Sequence, residues 1–561
     1  MVTATETSAS GRSGRGFWSE RFYVVMLTLS SILLLCGAAG FLYLESNSPL
    51  SLLGGSDRPI AAATLFVPRQ SAFSASLLTR PEKIAAFLQS LESPDQRQRS
   101  LQEIEQLKQQ FLDKVGLDYE QTIQPWLGEE VTFARTFTDL DLDSSNGQQP
   151  GYLVAAEIAP SRQHQAQAFL QLFWQQQALS GNVPSSEKLS GVRILSSTSV
   201  RSPAIKATAL VGDQFVLLAN DARVLKRSIQ VAQTAENLAQ NSAYRKTVAA
   251  LPETRIGLAY FDLNLFDLNL LDDARSDRVF AAMSIGLDRT GLVAEALPSS
   301  AASRVPAQVD RSAPANERGQ TPATLSLLPA NSEVAIADQT LSRLRSDLAA
   351  IGLSADALPA LLQSVLQLEA DSTPSTLENW ATGDYALGRV NTGRSHDWVL
   401  VVERDEAGIA ALDRYAIASG YSKVPISVGE ATVTAWTRLK AVQNGQRGRD
   451  LETELLGLHL QRDRYEIFAD SLAAMNSVLA ASEPLVQSAR FEQVIGPLAT
   501  SPERGYIYLD WPAVAPALSR RFPALAQAVT VTAPAFSHID TVAATRADEA
   551  VSLFVRLKGS A

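Results

Sequence analysis

The chain has 561 residues, 46% of them hydrophobic, with a formal net charge of −10 and a single cysteine, Cys36. That length and composition can supply several packed cores, while the acidic balance argues against nucleic acid and anionic lipid surfaces as partners. Beyond Cys36 there are no disulfides, cysteine-ligated zinc, iron–sulfur clusters or thiol nucleophiles.

An uncharged apolar run, Phe22 to Leu44, follows Arg12, Arg15 and Arg21 and precedes Glu45. As a helix rising about 1.5 Å per residue it reaches about 34 Å, enough to cross a bilayer. The positive-inside rule leaves residues 1–21 in the cytoplasm and everything from Glu45 onward on the non-cytoplasmic side. Three arginines against Glu6 and Glu20 in the tail leave about −11 on the exported part. Trp18, Tyr23 and Tyr43 stand where interfacial aromatics belong. A cleavable signal peptide is the rival reading, because Gly37, Ala38, Ala39 and Gly40 are small. Phe41 to Leu44 prolong the apolar stretch past that point and favour an uncleaved anchor. Cys36 follows three leucines, which is not a lipoprotein cleavage context.

After the span the sequence repeats itself. Ala63-Thr-Leu-Phe-Val-Pro68 returns as Ala323-Thr-Leu-Ser-Leu-Leu-Pro329, Gly116-Leu117 as Gly352-Leu353, and Trp126 with Gly128 and Glu129 as Trp380 with Gly383 and Asp384. Asp213 to Asn220 matches Asp463 to Asp470. An aromatic residue follows, Tyr244 or Phe491, and then Tyr260-Phe-Asp262 answers Tyr508-Leu-Asp510. The expected organisation is a tail (1–21), a transmembrane helix (22–44), a first repeat (45–297), a Ser/Ala/Pro-rich linker (298–320) and a second repeat (321–561).

Within the first repeat, Ser93-Pro94 starts a helix carrying Leu101, Ile104, Leu107, Phe111 and Val115, stopped by Gly116. Val131 to Phe137, Tyr152 to Ile158, Val192 to Leu195, Ala207 to Val211, Phe215 to Ala219 and Ile256 to Phe261 read as strands, with a hairpin at Gly212-Asp213-Gln214 and another around Asp288 to Gly291. The second repeat offers Trp398 to Val402, Thr432 to Trp436, Leu456 to Leu460, Tyr465 to Ala469, Tyr506 to Leu509 and a last hairpin around Arg546 to Asp548. The expected fold class is α+β: an N-terminal transmembrane helix followed by two tandem, homologous antiparallel-sheet-plus-helix domains.

These features, with Gly116-Leu117-Asp118, Pro125-Trp126-Leu127-Gly128 and the strand from Asp213 to Ala219, resemble an uncharacterised membrane-anchored family of cyanobacteria and some other bacteria, a domain of unknown function. The resemblance implies an exported, anchored protein and transfers no active-site residue. The second repeat departs from it, with Asn379-Trp380-Ala381 where the first has Pro125-Trp126-Leu127, so a role for that proline is not shared.

Catalytic chemistry is hard to find. His164, His396, His459 and His538 are scattered, outside any metal-binding spacing, and read as solvated or capping residues. Asp139, Asp141 and Asp143 alternate like a calcium loop, but Ser144 and Pro150 occupy the positions needing Gly and Glu, so a polar turn is favoured. Ser185 and Lys188 form a Ser-x-x-Lys spacing without its partner motifs. No catalytic residue, cofactor or metal is expected. Trp126, Trp380, Asp262 and Asp510, kept in both repeats, read chiefly as packing and capping residues and otherwise as a shared binding surface. The function expected is a non-enzymatic protein-binding or scaffolding module of the cell envelope. The alternatives are an anchored carrier or sensor of lipid or other apolar ligand, and a hydrolase whose site assembles only in three dimensions.

Overall fold

The computed structural model describes residues 49–91, 119–141, 149–197, 205–262, 280–299, 322–371, 383–521 and 539–558, apart from 57, 59, 351–352, 354–357, 445–447, 482, 497, 499–503 and 548–549. Within them the β-branched and aliphatic runs become strands, bounded by the turn residues that punctuate the sequence. The earlier strands are β1 (Phe73–Leu77), β2 (Leu127–Phe137), β3 (Gly151–Ile158), β4 (Ser185–Leu189), β5 (Val192–Ser196), β6 (Ala207–Val211), β7 (Phe215–Ala219), β8 (Gly257–Asp262), β9 (Phe280–Asp288) and β10 (Gly291–Pro298). The later ones are β11 (Ser332–Asp338), β12 (Tyr385–Asn391), β13 (His396–Glu403), β14 (Ser422–Val428), β15 (Ala431–Asn444), β16 (Gly448–Arg462), β17 (Tyr465–Ala469), β18 (Arg504–Asp510), β19 (Ile539–Ala547) and β20 (Ala550–Leu557).

The expected fold class is corrected here. The strands belong to one 20-stranded sheet, not to two tandem sheet domains. Among the described residues no helix is long and apolar enough to cross a membrane, so none stands ahead of the sheet as the expected transmembrane helix; the run 22–44 itself lies outside the described residues. So does the helix expected from Ser93 to Val115.

Two compact units divide the chain. The larger takes residues 26–321, 333–335 and 483–561. Its strands run β4-β5-β6-β7-β3-β2-β1-β8-β9-β10-β20-β19-β18, every neighbour antiparallel. The hairpin β9–β10 meets the hairpin β19–β20 along β10 and β20, in register from Gly291↔Arg556 to Ala296↔Val551. The C-terminal strands therefore complete the sheet that the first half of the sequence begins. In the smaller unit, which includes residues 336–482, the order is β14-β15-β16-β17-β13-β12. That is the order of β4-β5-β6-β7-β3-β2 in the larger one.

Alternation along each strand divides the side chains between two cores. In the larger unit Leu153, Ala155, Phe215 and Leu217 pack with Val224, Leu225, Ile229, Tyr244 and Val248 from helices Ala222–Ala232 and Ser242–Ala249. On the opposite face Ala156, Ile158 and Val216 pack with Phe169, Phe173 and Trp174 from helix Gln163–Leu179. Helices thus cover both faces of the sheet at β3 and β7. The Ala63-to-Pro68 opening forms the short 3-10 helix Ala62–Phe66, its first amides donating to the buried Glu130 carboxylate at 2.8 and 2.7 Å. The matching opening forms the 3-10 helix Ala323–Leu327.

The hairpins at Gly212-Asp213, Asp288 to Gly291 and Arg546 to Asp548 join the strands expected of them, although Asp548 itself is outside the described residues. Two expected strands, Thr432 to Trp436 and Leu456 to Leu460, are only the inner parts of β15 and β16. The outer parts, Arg438-Leu-Lys-Ala441 and Leu451-Glu-Thr-Glu454, are rich in Lys, Arg and Glu, which sheets disfavour, and for that reason do not read as strand.

Gly291 sets how closely β10 approaches β20: a Cβ there would sit 2.1 Å from the Val555 carbonyl oxygen. Gly291→Ala is expected to lower the unfolding free energy by about 1–3 kcal/mol, through overpacking against backbone. Gly54→Ala, which meets nothing within 4 Å, should stay within about 0.5 kcal/mol of wild type. Urea denaturation midpoints compare the two.

Candidate functional site

Trp126 is 2% exposed, donates from Nε1 to the Thr122 carbonyl at 2.7 Å and lies 5.2 Å from the Phe169 ring. It is a packing residue of the core under helix Gln163–Leu179. Trp380 lies outside the described residues. Asp262 ends β8, is 6% exposed and donates its backbone N–H to the Ala72 carbonyl at 2.8 Å. Asp510 ends β18, directly before helix Trp511–Arg521. Tyr260 belongs to the core opposite Trp126, so the structure does not bring Trp126 to the Tyr260-to-Asp262 segment. The aromatics repeated with these aspartates do meet: Tyr244 lies 5.2 Å from Tyr260, and Phe491 lies 5.6 Å from Tyr508.

Asp510 accepts from Arg490 Nη1 at 2.7 Å, while Arg490 Nη2 donates to Asp540 Oδ1 at 2.9 Å. Arg556 reaches the other Asp540 oxygen at 2.7 Å. Burial is the strongest single influence and opposes the charge on Arg490, but the bond to Asp510 together with the charges of Asp510, Tyr508 and Asp540 raises the guanidinium above its ordinary value. Burial likewise works most strongly against the Asp540 charge, and Arg490, the Thr541 hydroxyl and Arg556 together hold that carboxyl below its ordinary value. Burial pushes the Tyr508 hydroxyl up to about 12. This chain of charges ties β18, β19 and β20 to helix Ala489–Ile495.

His164 and His396 are exposed, as expected, and His538 is outside the described residues. His459 is neither solvated nor capping, which corrects its reading from sequence. It is 7% exposed, stacked 4.6 Å from Trp436, with Nδ1 2.5 Å from Glu466 Oε1. Its only visible signal was the break that it makes, with Gly457 and Gln461, between Leu456, Leu458 and Leu460. Asp139 accepts from the Gln149 amide at 3.1 Å; Asp143 is outside the described residues. Ser185 and Lys188 lie on the exposed strand β4, where Ser185 bonds Ser196. Among the described residues no three His, Cys, Asp or Glu side chains could hold a metal ion.

Corresponding positions in the two units differ in one informative place. Asn220 Oδ1 accepts from the Tyr152 amide at 2.7 Å, and Asp470 Oδ1 accepts from the Trp398 amide at 3.0 Å. Asp470 carries a charge where Asn220 carries none. Burial, followed by the Asp397 carboxylate, pushes Asp470 up to about 6.

One feature reaches outward. β14 pairs with β15 only as far as Thr437, and β17 pairs with β16 only from Leu458 to Arg462. Leu439–Asn444 and Gly448–Thr453 thus pair only with each other among the described strands, forming a two-stranded arm. A bulge between Trp436 and Thr437 marks its base. Arg438 fixes that base, stacking 4.5 Å over Tyr421 and donating to Glu454 at 2.9 and 3.1 Å. Further out, Leu439↔Thr453 and Ala441↔Leu451 share one face, while Lys440↔Glu452 lies on the other. Leu439 and Leu451 are 70% and 71% exposed, on the same face of the ladder.

The chain belongs to the family described as Protein of unknown function (DUF3352), whose model matches residues 25–556. Neither the curated proteins nor the solved structures contain a match.

The charge on Asp470 opposes folding. Its ordinary value of 3.8 rises to about 6 in the fold, so the stability tied to the protonated form is complete below 3.8 and lost as pH climbs through 6. Asp470→Asn, which keeps the amide acceptor as Asn220 does, is expected to stabilise the chain by about 1–2 kcal/mol at pH 8, discounted for partial exposure. The gain should vanish below pH 4, which thermal unfolding across pH checks.

Proposed function

We propose that this chain is a non-enzymatic binding or scaffolding module of the cell envelope, engaging protein partners through the β15–β16 arm. The observation that carries the reading is the arm's exposed face: Leu439 and Leu451 stand about seven-tenths exposed on a ladder whose outer edges have no strand beside them among the described residues. A free edge offers backbone hydrogen bonds to an added strand, and alternate side chains supply selectivity. The apolar run Phe22 to Leu44, with arginines only on its N-terminal side, supports attachment to the plasma or thylakoid membrane with the arm on the non-cytoplasmic side.

An internal duplication is part of the same proposal. It is supported by the sequence pairs spaced near 250 positions, such as Asp213 and Asp463, and by the common strand order β4-β5-β6-β7-β3-β2 and β14-β15-β16-β17-β13-β12. On this reading the extension of β15 and β16 past their counterparts β5 and β6 is a later addition to one copy.

A photo-crosslinking side chain placed at Leu439 or Leu451 in the membrane-bound chain is expected to give discrete protein adducts. The same group at Asp213, in a tight turn of the other unit, should give none. Adducts at Asp213 equal to those at the arm, or none at the arm, would contradict the reading.

A further inference from the structure

We propose that the larger unit binds a linear polyamine, an aliphatic chain with an ammonium at each end, in a groove over the β9–β10 hairpin. The site is built from the larger unit alone and stands apart from the reading of the arm. The groove has a volume of about 190 Å³ and draws on three parts of the chain. Gly286 and Val293, paired across β9 and β10, line its middle. Leu53, from the 3-10 helix Pro49–Gly54, and Pro252, which follows helix Ser242–Ala249, add apolar lining. Gly286 permits this closure, because a Cβ there would lie 2.6 Å from the Thr254 carbonyl oxygen.

The acidic side chains stand at the two ends. Asp288 closes β9, and Glu295 lies on β10 opposite Ser284, four residues back along β9. Both line the groove, and no Lys, Arg or His is among the described residues that do. Four residues of strand cover about 13 Å, and side chains stand roughly perpendicular to a sheet, so the two carboxylates are held well apart. A single metal ion, whose oxygen ligands lie within about 2.6 Å of it, does not join them. A single ammonium pairs with one and leaves the other unanswered. Two ammonium groups on one aliphatic chain meet both, and the methylenes between them lie along Val293, Leu53 and Pro252. The polar details suit this occupant. Asp288 Oδ1 is taken by the turn, accepting from the Thr290 amide and hydroxyl at 3.2 Å each, which leaves Oδ2 for a ligand. Beside Glu295, Ser284 is 3% exposed, and its hydroxyl reaches the Glu295 carbonyl only at 3.5 Å, so its oxygen has lone pairs to offer an ammonium.

Calorimetric titration of the full chain in detergent micelles with spermidine is the test, with butylamine as the single-ammonium probe and Mg²⁺ as the metal probe. Spermidine is expected to bind about tenfold or more tightly than butylamine, because it makes a second charge-assisted contact. Asp288→Asn, which keeps the oxygen that Thr290 uses, and Glu295→Gln should each weaken spermidine about tenfold, towards butylamine. Val293→Phe fills the middle of the groove and should abolish binding with both carboxylates in place. Glu253→Gln removes an exposed carboxylate outside the lining and should leave the affinity unchanged. Urea midpoints matching wild type establish that the variants fold. Absence of spermidine binding, butylamine binding as tightly as spermidine, or Mg²⁺ displacing spermidine at equal concentration overturns the proposal. So do folded Asp288, Glu295 or Val293 variants that bind as wild type does, and a Glu253→Gln chain weakened as much as they are.

Discussion

The pairing of β10 with β20 is the constraint on which the larger unit depends. Each of these strands closes a hairpin at the end of its own half of the sequence, and each would otherwise be an open edge of aliphatic residues. Joined, they remove both edges and bury Leu292, Ala294 and Ala296 against Val551, Leu553 and Val555. Gly291 makes the approach possible, because the Val555 carbonyl occupies the space in which a side chain would lie. The cost is entropic: residues more than 250 positions apart must meet before this part of the sheet is stable, which makes for slow, late pairing.

With that pairing in place, helices cover both faces of the sheet at β3 and β7, and several polar groups in the fold are absorbed by structure. Glu130 holds the opening 3-10 helix, Arg490 gathers Asp510 and Asp540, and His459 leans on Glu466 and Trp436. Glu130 and the His459–Glu466 pair are buried and Arg490 is exposed, and each has a partner that explains its position. The arm is different. Its base is fixed by Arg438, Tyr421 and Glu454, but its outer leucines have no role in either core. The proposed function therefore rests on surplus surface and not on perturbed acid–base chemistry.

Much of the local structure was legible in the residues. Phe215 to Ala219 and Tyr465 to Ala469 are unbroken apolar or aromatic runs between turn residues, and such runs have few alternatives to a buried strand. Asp213 and Asp463, both with positive φ, mark the turns before them. Pairing between distant strands left no such trace. Nothing in Gly291-Leu-Val-Ala294 or Leu553-Phe-Val555 names its partner, and the division into tandem sheets failed at that point. The arm was hidden for another reason: Arg438, Lys440, Glu452 and Glu454 obey strand alternation but not strand composition. Glu130, deep in the fold, left no trace beyond its place beside Glu129 at the start of its strand.

The most direct measurement of this account is a cross-link between β10 and β20. Glu295 and Ser552 are paired across the two strands and only half-buried, and opposed residues in antiparallel strands have Cα atoms about 4.5–5.5 Å apart, within reach of a disulfide. With Cys36→Ser removing the only native thiol, Glu295→Cys combined with Ser552→Cys should oxidise to an intramolecular bridge in the folded chain. Peptide mapping that finds the 295–552 link agrees with a single sheet joined at its ends. A folded, fully oxidised sample in which both thiols stay free, or bridge only between chains, would contradict it.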